Sequence, residues 1–247
     1  MEVCEKSEAF AEDAFSHTKI ILREGDQYYY AITSRRYTDT SKVDLHELDL
    51  VPISQIWPPF PTQFTRAPEP LPQDCYVKRP SLLDYGDGDD TKTSTELSGL
   101  LLSEAEVCEI LRASPHPNIA QYLGCQVEDD KIMGLCFVKY GMNLHKRVQD
   151  SRPFDTDLIL QGIQQGIRDL HSLGLIHCDI SPANIVMDHG DTPVIVDFDS
   201  CRRNGEELGP KRGTWGWTNE DSEFARPEND EYGLSKIRDF LSQVHKM

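Results

Sequence analysis

Between His171 and Asp199 the sequence admits few folds. It reads His-Ser-Leu-Gly-Leu-Ile-His-Cys-Asp-Ile-Ser-Pro-Ala-Asn-Ile-Val and closes on Val-Ile-Val-Asp-Phe-Asp. Asn184-Ile-Val-Met187 and Val194-Ile-Val196 are short apolar strands, and Asp188-His-Gly-Asp-Thr-Pro193 between them is turn chemistry, so a tight hairpin is expected. That hairpin returns Asp197 to the neighbourhood of Asn184 and of Asp179, five residues before it. A carboxylate able to accept a proton and two hard-oxygen metal ligands, gathered at one point, is what phosphate chemistry requires. Asp179 is the candidate general base, and Asn184 and Asp197 are the candidate metal ligands. Asp and Asn are also common in ordinary turns. The joint pattern with its strands is what separates this stretch from that reading.

The 247 residues suffice for one large or two small domains. Lys+Arg 25 against Asp+Glu 42 gives a net charge of −17, which disfavours nucleic acid and anionic membrane and favours a basic substrate or partner. The seven cysteines form no C-x-x-C pair, so neither a zinc site nor a disulfide framework is expected. The first residues are acidic and lack an apolar core, and no run approaches 18 apolar residues. A cytoplasmic or nuclear location is the expectation.

Lys19-Ile-Ile-Leu22 and Gln27 to Thr33 read as a hairpin about the turn Arg23-Glu-Gly-Asp26. Residues 51–74 are proline-rich and predict an extended connector packed along the surface. Cys75-Tyr-Val-Lys78 reads as a short strand carrying a lysine. The acidic loop Asp84 to Asp90 lacks calcium-loop spacing and reads as solvated. From Thr95 to Ala113, Leu97, Leu101, Cys108 and Leu111 recur at helical spacing. Ile119 to Val127 and Ile132 to Tyr140 read as strands, and a second helix spans Thr156 to Ser172, stopped by Gly174.

With these residues in place the chain resembles the eukaryotic protein-kinase superfamily, and more narrowly the kinase-like domains of filamentous fungi, over about residues 75 to 240. The motifs that carry the likeness are His177-Cys178-Asp179, Asn184, Asp197-Phe198-Asp199 and His116-Pro-Asn-Ile119. The resemblance implies an α+β two-lobe fold, with a β-rich N-lobe over residues 67–140 and a shortened, mainly helical C-lobe over 141–247. Residues 1–66 would form an extension. It further implies ATP and Mg²⁺ as cofactors, Lys78 as the phosphate-holding lysine, and Glu106 as its ion-pair partner, with Glu104 and Glu109 competing for that place. Val138, Tyr140 and Gly141 would form the adenine hinge, Tyr140 and Gly141 offering backbone groups. Asp230 would anchor the catalytic loop, and Gly213-Thr-Trp-Gly-Trp217 resembles the end of an activation segment.

Several positions depart from the family pattern. No G-x-G-x-x-G precedes Lys78, Ser181 stands where a lysine is usual, Cys178 replaces an arginine, Asp199 replaces a glycine, and no alanine-proline-glutamate segment is evident. The implied activity is transfer of the γ-phosphate of ATP to a protein hydroxyl, Ser/Thr rather than Tyr. A pseudokinase scaffold and a small-molecule phosphotransferase stay open beside it.

Overall fold

A computed structural model describes residues 1–11, 14–36, 48–85, 97–209, 211 and 213–244. The expected hairpin is found and extended. Strands β1 (Glu2–Ala11), β2 (Ala14–Glu24), β3 (Gln27–Thr33) and β4 (Asp49–Val51) form an antiparallel meander in that order. The β2–β3 register runs from Thr18 opposite Thr33 to Glu24 opposite Gln27, and Gly25, at φ 59°, turns the chain where a side chain would be strained. Ile20, Ile21 and Leu22 of β2 are buried, which is the apolar run that makes this strand legible.

The segment after Lys78 belongs with this meander. Ser81 Oγ and the Leu82 N–H donate to the Glu5 carboxylate at 2.7 and 3.0 Å, Tyr85 stacks edge-on to Tyr30, and the Tyr85 hydroxyl donates to Gln55. The acidic loop expected at Asp84 to Asp90 lies outside the described residues from position 86 onward. The chain divides into two compact units: residues 1–60, 79–102 and 127–134 in one, and 61–78, 103–126 and 135–247 in the other.

In the second unit, β5 (Cys75–Lys78) pairs with the far end of β7 (Lys131–Val138), Cys75 opposite Val138 and Lys78 opposite Leu135. With β6 (Tyr122–Glu128) they form a sheet in the order β5–β7–β6. The proline-rich run departs from the extended connector expected: it opens on a single turn of helix, α1 (Ile53–Ile56), and continues through short turns, the Phe64 N–H donating to the Pro61 carbonyl at 3.0 Å. It also bonds to β6: the Ala67 N–H donates to the Cys125 carbonyl at 2.8 Å and the Cys125 N–H to Thr65 at 2.7 Å. These ladder bonds come from non-proline residues between Pro61 and Pro68, where a donor or carbonyl is free to pair.

Helix α2 (Leu97–Ala113) is followed, after the sheet, by α3 (Leu144–Gln149) and α4 (Thr156–Ser172). Asp155 caps α4, its carboxylate accepting from the Asp157 and Leu158 N–H groups. The buried stripe of α4 is Ile159, Ile163, Ile167 and Leu170. Strand β8 (Leu175–Ile176), the hairpin β9 (Ile185–Met187) and β10 (Pro193–Ile195), and β11 (Arg202–Arg203) follow. β8 pairs with β11, and α4 packs on β8, β10 and α5 (Pro227–Val244). The architecture is α+β, rich in sheet towards the N-terminus and helical towards the C-terminus. Among the described residues no helix is long and apolar enough to cross a membrane.

Candidate active site

The loop that begins at His177 is fixed by one carboxylate. Asp230, on the first turns of α5 and fully buried, accepts the Cys178 N–H at 2.8 Å and the His177 N–H at 3.0 Å, and its Oδ2 lies 2.8 Å from His171 Nε2. This is the anchoring expected of it. Gly233, one turn further on, lets the helix approach the loop: a Cβ there would lie 2.4 Å from the Ile180 carbonyl oxygen. Cys178 takes φ 64°, and its side chain packs with Ile176, Ala225 and Leu208. Burial, with Asp230 nearby, pushes its thiol up to about 12, so it is an inert packing group.

His177 ties the two arms of the site. Its Nδ1 accepts the Asp179 N–H at 3.2 Å, which leaves Nε2 to donate to the Val196 carbonyl at 3.1 Å. The Asp179 carboxylate stands on this support. Asn184 Nδ2 donates to its Oδ2 at 2.8 Å, the Thr214 N–H donates to Oδ1 at 2.8 Å and the Thr214 hydroxyl to Oδ2 at 3.1 Å. Gly213, at φ 81°, makes this possible, since a Cβ there would fall 2.7 Å from the Cys178 carbonyl oxygen. The β9–β10 hairpin brings Asp197 back beside Asn184, as the turn chemistry predicts, and both line one cavity.

Lys78 reaches the same cavity. Its ammonium donates to both oxygens of Glu104 at 2.8 Å, to Asp197 Oδ1, and to Asp199 Oδ2 at 3.3 Å. The expected partner, Glu106, is exposed on the surface of α2. The correction follows from helix geometry: Glu104 lies three residues after Leu101 and four before Cys108, within the buried stripe, and Glu106 is two residues, about 200°, around the helix. Glu109 is engaged elsewhere, accepting the Thr65 N–H and hydroxyl at 2.8 and 2.9 Å. The stripe of Leu97, Leu101, Cys108 and Leu111 already singles out position 104.

Burial alone lowers the Lys78 pKa, but Glu104, Asp197 and Asp199 outweigh it and hold the ammonium firmly charged. Burial pushes Glu104 up, against the pull of Lys78. For Asp199, burial pushes up and two lysines pull down harder, Lys78 and Lys211, leaving it at about 2. Sequence reasoning does not find Lys211, which shares Asp199 Oδ2 with Lys78. Its only sequence signal is Asp199 itself, a charge in a buried motif that calls for a cation. Ser181 is buried, its hydroxyl oxygen without a partner among the described residues, and brings no charge to the site.

The cavity has a volume of about 410 Å³. Ala120, Val186 and Val196 give it apolar walls, Lys78, Asn184 and Asp197 a polar end, and Val138, Tyr140 and Gly141 a rim. The Gly141 N–H donates to the Met187 carbonyl at 2.9 Å. Among the described residues the Tyr140 main chain enters no backbone–backbone bond. Glu104, Asp197 and Asp199 have carboxylate oxygens within 4.8 Å of one another, a spacing compatible with a metal ion. Lys78 bonds to all three, however, and occupies the place a metal ion would take among them. The fit to Mg²⁺ is better on the Asn184 side: the Asn184 Nδ2 is fixed on Asp179, which turns Oδ1 away, and the lysine engages only one oxygen of Asp197. Both donors are the hard oxygens this ion prefers.

The family model described as protein kinase domain matches residues 89–218, a span that holds Glu104, Asp179, Asn184 and Asp197 and begins after Lys78. The chain belongs to the protein kinase family. It is 34% identical over 120 residues to the serine/threonine-protein kinase SSK22 of Saccharomyces cerevisiae, covering 46% of this chain and 8% of that protein. It is 32% identical over 139 residues to the mitogen-activated protein kinase kinase kinase YODA of Arabidopsis thaliana, covering 55% of this chain and 15% of that one. A probable CTD kinase subunit alpha homolog of Encephalitozoon cuniculi is 28% identical over 113 residues, covering 45% of this chain and 34% of the relative. The matched regions are thus a minor part of each relative. The glutamate paired with Lys78 stands two residues from where the sequence alone suggests.

Proposed function

We propose that this domain binds Mg²⁺-ATP and transfers its γ-phosphate to a protein hydroxyl, that of serine or threonine. The observation that carries this reading is the convergence of Lys78, Asn184 and Asp197 on one cavity, with Asp179 bonded to Asn184 at its edge. The serine/threonine assignment follows the likeness to SSK22, a serine/threonine-protein kinase. The net charge of −17 suits a basic substrate.

The roles follow from the contacts. The Tyr140 main chain would take the adenine edge, and Ala120, Val186 and Val196 would flank the ring. Lys78, held by Glu104, would present its ammonium to the phosphates. Asn184 and Asp197 would hold Mg²⁺, which when bound neutralises phosphate charge. Asp179, aimed by Asn184 and Thr214, would orient the substrate hydroxyl and accept its proton as the oxygen bonds to the γ-phosphorus and ADP departs.

A nucleotide-binding scaffold is the second reading, favoured by Asp199, a buried carboxylate beside the phosphate lysine. Incubation with Mg²⁺-ATP and a basic test protein separates the two. Phosphate transfer is expected, and Asp179→Ala should abolish it while leaving nucleotide binding intact. Binding without any transfer by the wild-type chain would replace the enzyme with the scaffold.

A further inference from the structure

Asp199 holds two lysines on one oxygen. Oδ2 accepts from Lys78 at 3.3 Å and also from Lys211, so two ammonium groups share a single carboxylate atom. Lys78 lines the cavity. Thr214, three residues after Lys211, is bonded to the Asp179 carboxylate. The Lys211 side chain is 45% exposed, against 11% for Asp199, so the ammonium can be met by a ligand while the carboxylate cannot easily move.

The charge balance gives this arrangement a purpose. Four carboxylates crowd the site, Glu104, Asp179, Asp197 and Asp199, and the loop from His177 to Asn184 contains no lysine or arginine. Lys78 is shared among three of those carboxylates. A polyphosphate entering such a site needs a further cation near its terminal group, because repulsion between like charges at close range is costly away from bulk water. Lysine suits this role, since a compact charge on a flexible four-carbon stem can swing from a carboxylate to a phosphate oxygen without dragging the backbone.

We propose that Lys211 is a second phosphate-contacting residue of this site, held in waiting by Asp199 and directed to the terminal phosphate of the nucleotide. Asp199 thereby keeps the lysine at hand. The inference rests on the Mg²⁺-ATP reading above and adds to it a residue that discriminates triphosphate from diphosphate.

Calorimetric titration of the full chain with Mg²⁺-ATP and, separately, Mg²⁺-ADP tests it. Losing a charge-assisted bond to the terminal phosphate should weaken ATP binding by Lys211→Met about tenfold and ADP binding by less than about twofold. Lys211→Arg should retain most of the preference. A purely structural ion pair would move both nucleotides together or neither, and either result in Lys211→Met overturns the inference alone. A wild-type chain that binds neither nucleotide overturns the inference together with the proposed function.

Discussion

Asp230 and Glu104 are both buried acids of this domain, and they are satisfied in opposite ways. Asp230 is met by two backbone N–H groups and a histidine, partners whose positions are set by the loop and by α4. Glu104 is met chiefly by the ammonium of Lys78, a long side chain that also serves Asp197 and Asp199. The first arrangement specifies a shape. The second holds mobile charges that a ligand can redistribute. Changes at the anchor should therefore appear as lost stability, and changes at the cluster as lost response to nucleotide.

The largest effect is expected at the anchor. Asp230→Ala leaves two buried N–H groups unpaired at about 1 to 3 kcal/mol each, so a total of about 3 to 5 kcal/mol is expected by urea denaturation. At about 2 to 4 °C per kcal/mol for a domain of this size, the melting temperature should fall by roughly 10 °C. A loss below about 1 kcal/mol would erase the distinction between the two regions.

Next comes Lys78→Met. It strands Glu104, but Asp197 is 36% exposed and can turn to water, so a smaller cost of about 1 to 3 kcal/mol is expected. The diagnostic loss is elsewhere. Mg²⁺-ATP at ~100 times its dissociation constant stabilises a native state by about 2.7 kcal/mol, which should raise the wild-type melting temperature by about 5 to 10 °C. Lys78→Met should show little of that rise. A full rise in the variant would mean the lysine serves structure alone.

Acid titration sharpens the comparison further. Asp199 is held at about 2, below its unfolded value near 4, so its contribution is complete above about pH 4 and disappears as pH falls towards 2. The amount is roughly 2 kcal/mol at 1.36 kcal/mol per unit. Glu104, pushed up by burial, acts in the opposite sense, so the Asp199 share is read as the difference from Asp199→Asn. That variant should show a flatter loss of stability between pH 4 and 2. Parallel curves would show that the two lysines do not hold this carboxylate ionised.

Much of this is legible in the sequence because local pattern and burial agree. The β5 strand and α4 lie where their sequences place them, and the hairpin carrying Asp197 follows from its turn residues. Strand β1 is not legible: Glu2, Glu5, Lys6 and Glu8 interrupt any apolar alternation, and pairing with β2 alone defines it. The two-residue pairing of β8 with β11 joins segments some 26 residues apart, which no local signal encodes. In the site, Asp179, Asn184 and Asp197 can be read because a short loop and a tight hairpin fix them. Lys211 cannot, since its place depends on a long excursion from Asp199. The bond from the Gly141 N–H is not legible either, because its acceptor, the Met187 carbonyl, is distant in sequence.

The smallest effect tests the helix register on which the cluster depends. On α2, Glu104 and Glu106 are chemically identical and two residues apart, yet one is buried on Lys78 and the other faces outward. Glu106→Gln should change stability by less than about 0.5 kcal/mol, as exposed substitutions do, and leave the Mg²⁺-ATP melting shift intact. Glu104→Gln keeps the shape but removes the charge opposing Lys78 and weakens the acceptor of the Phe198 N–H, bonded at 3.1 Å. It should diminish the nucleotide shift, because the lysine is then drawn towards Asp197 and Asp199 instead of being held ready for phosphate. The reverse result, a shift lost in Glu106→Gln and kept in Glu104→Gln, would require α2 to turn by about 200° on binding nucleotide. That rotation would carry Leu101 and Cys108 out of the core, so the apolar stripe itself argues for the register seen here.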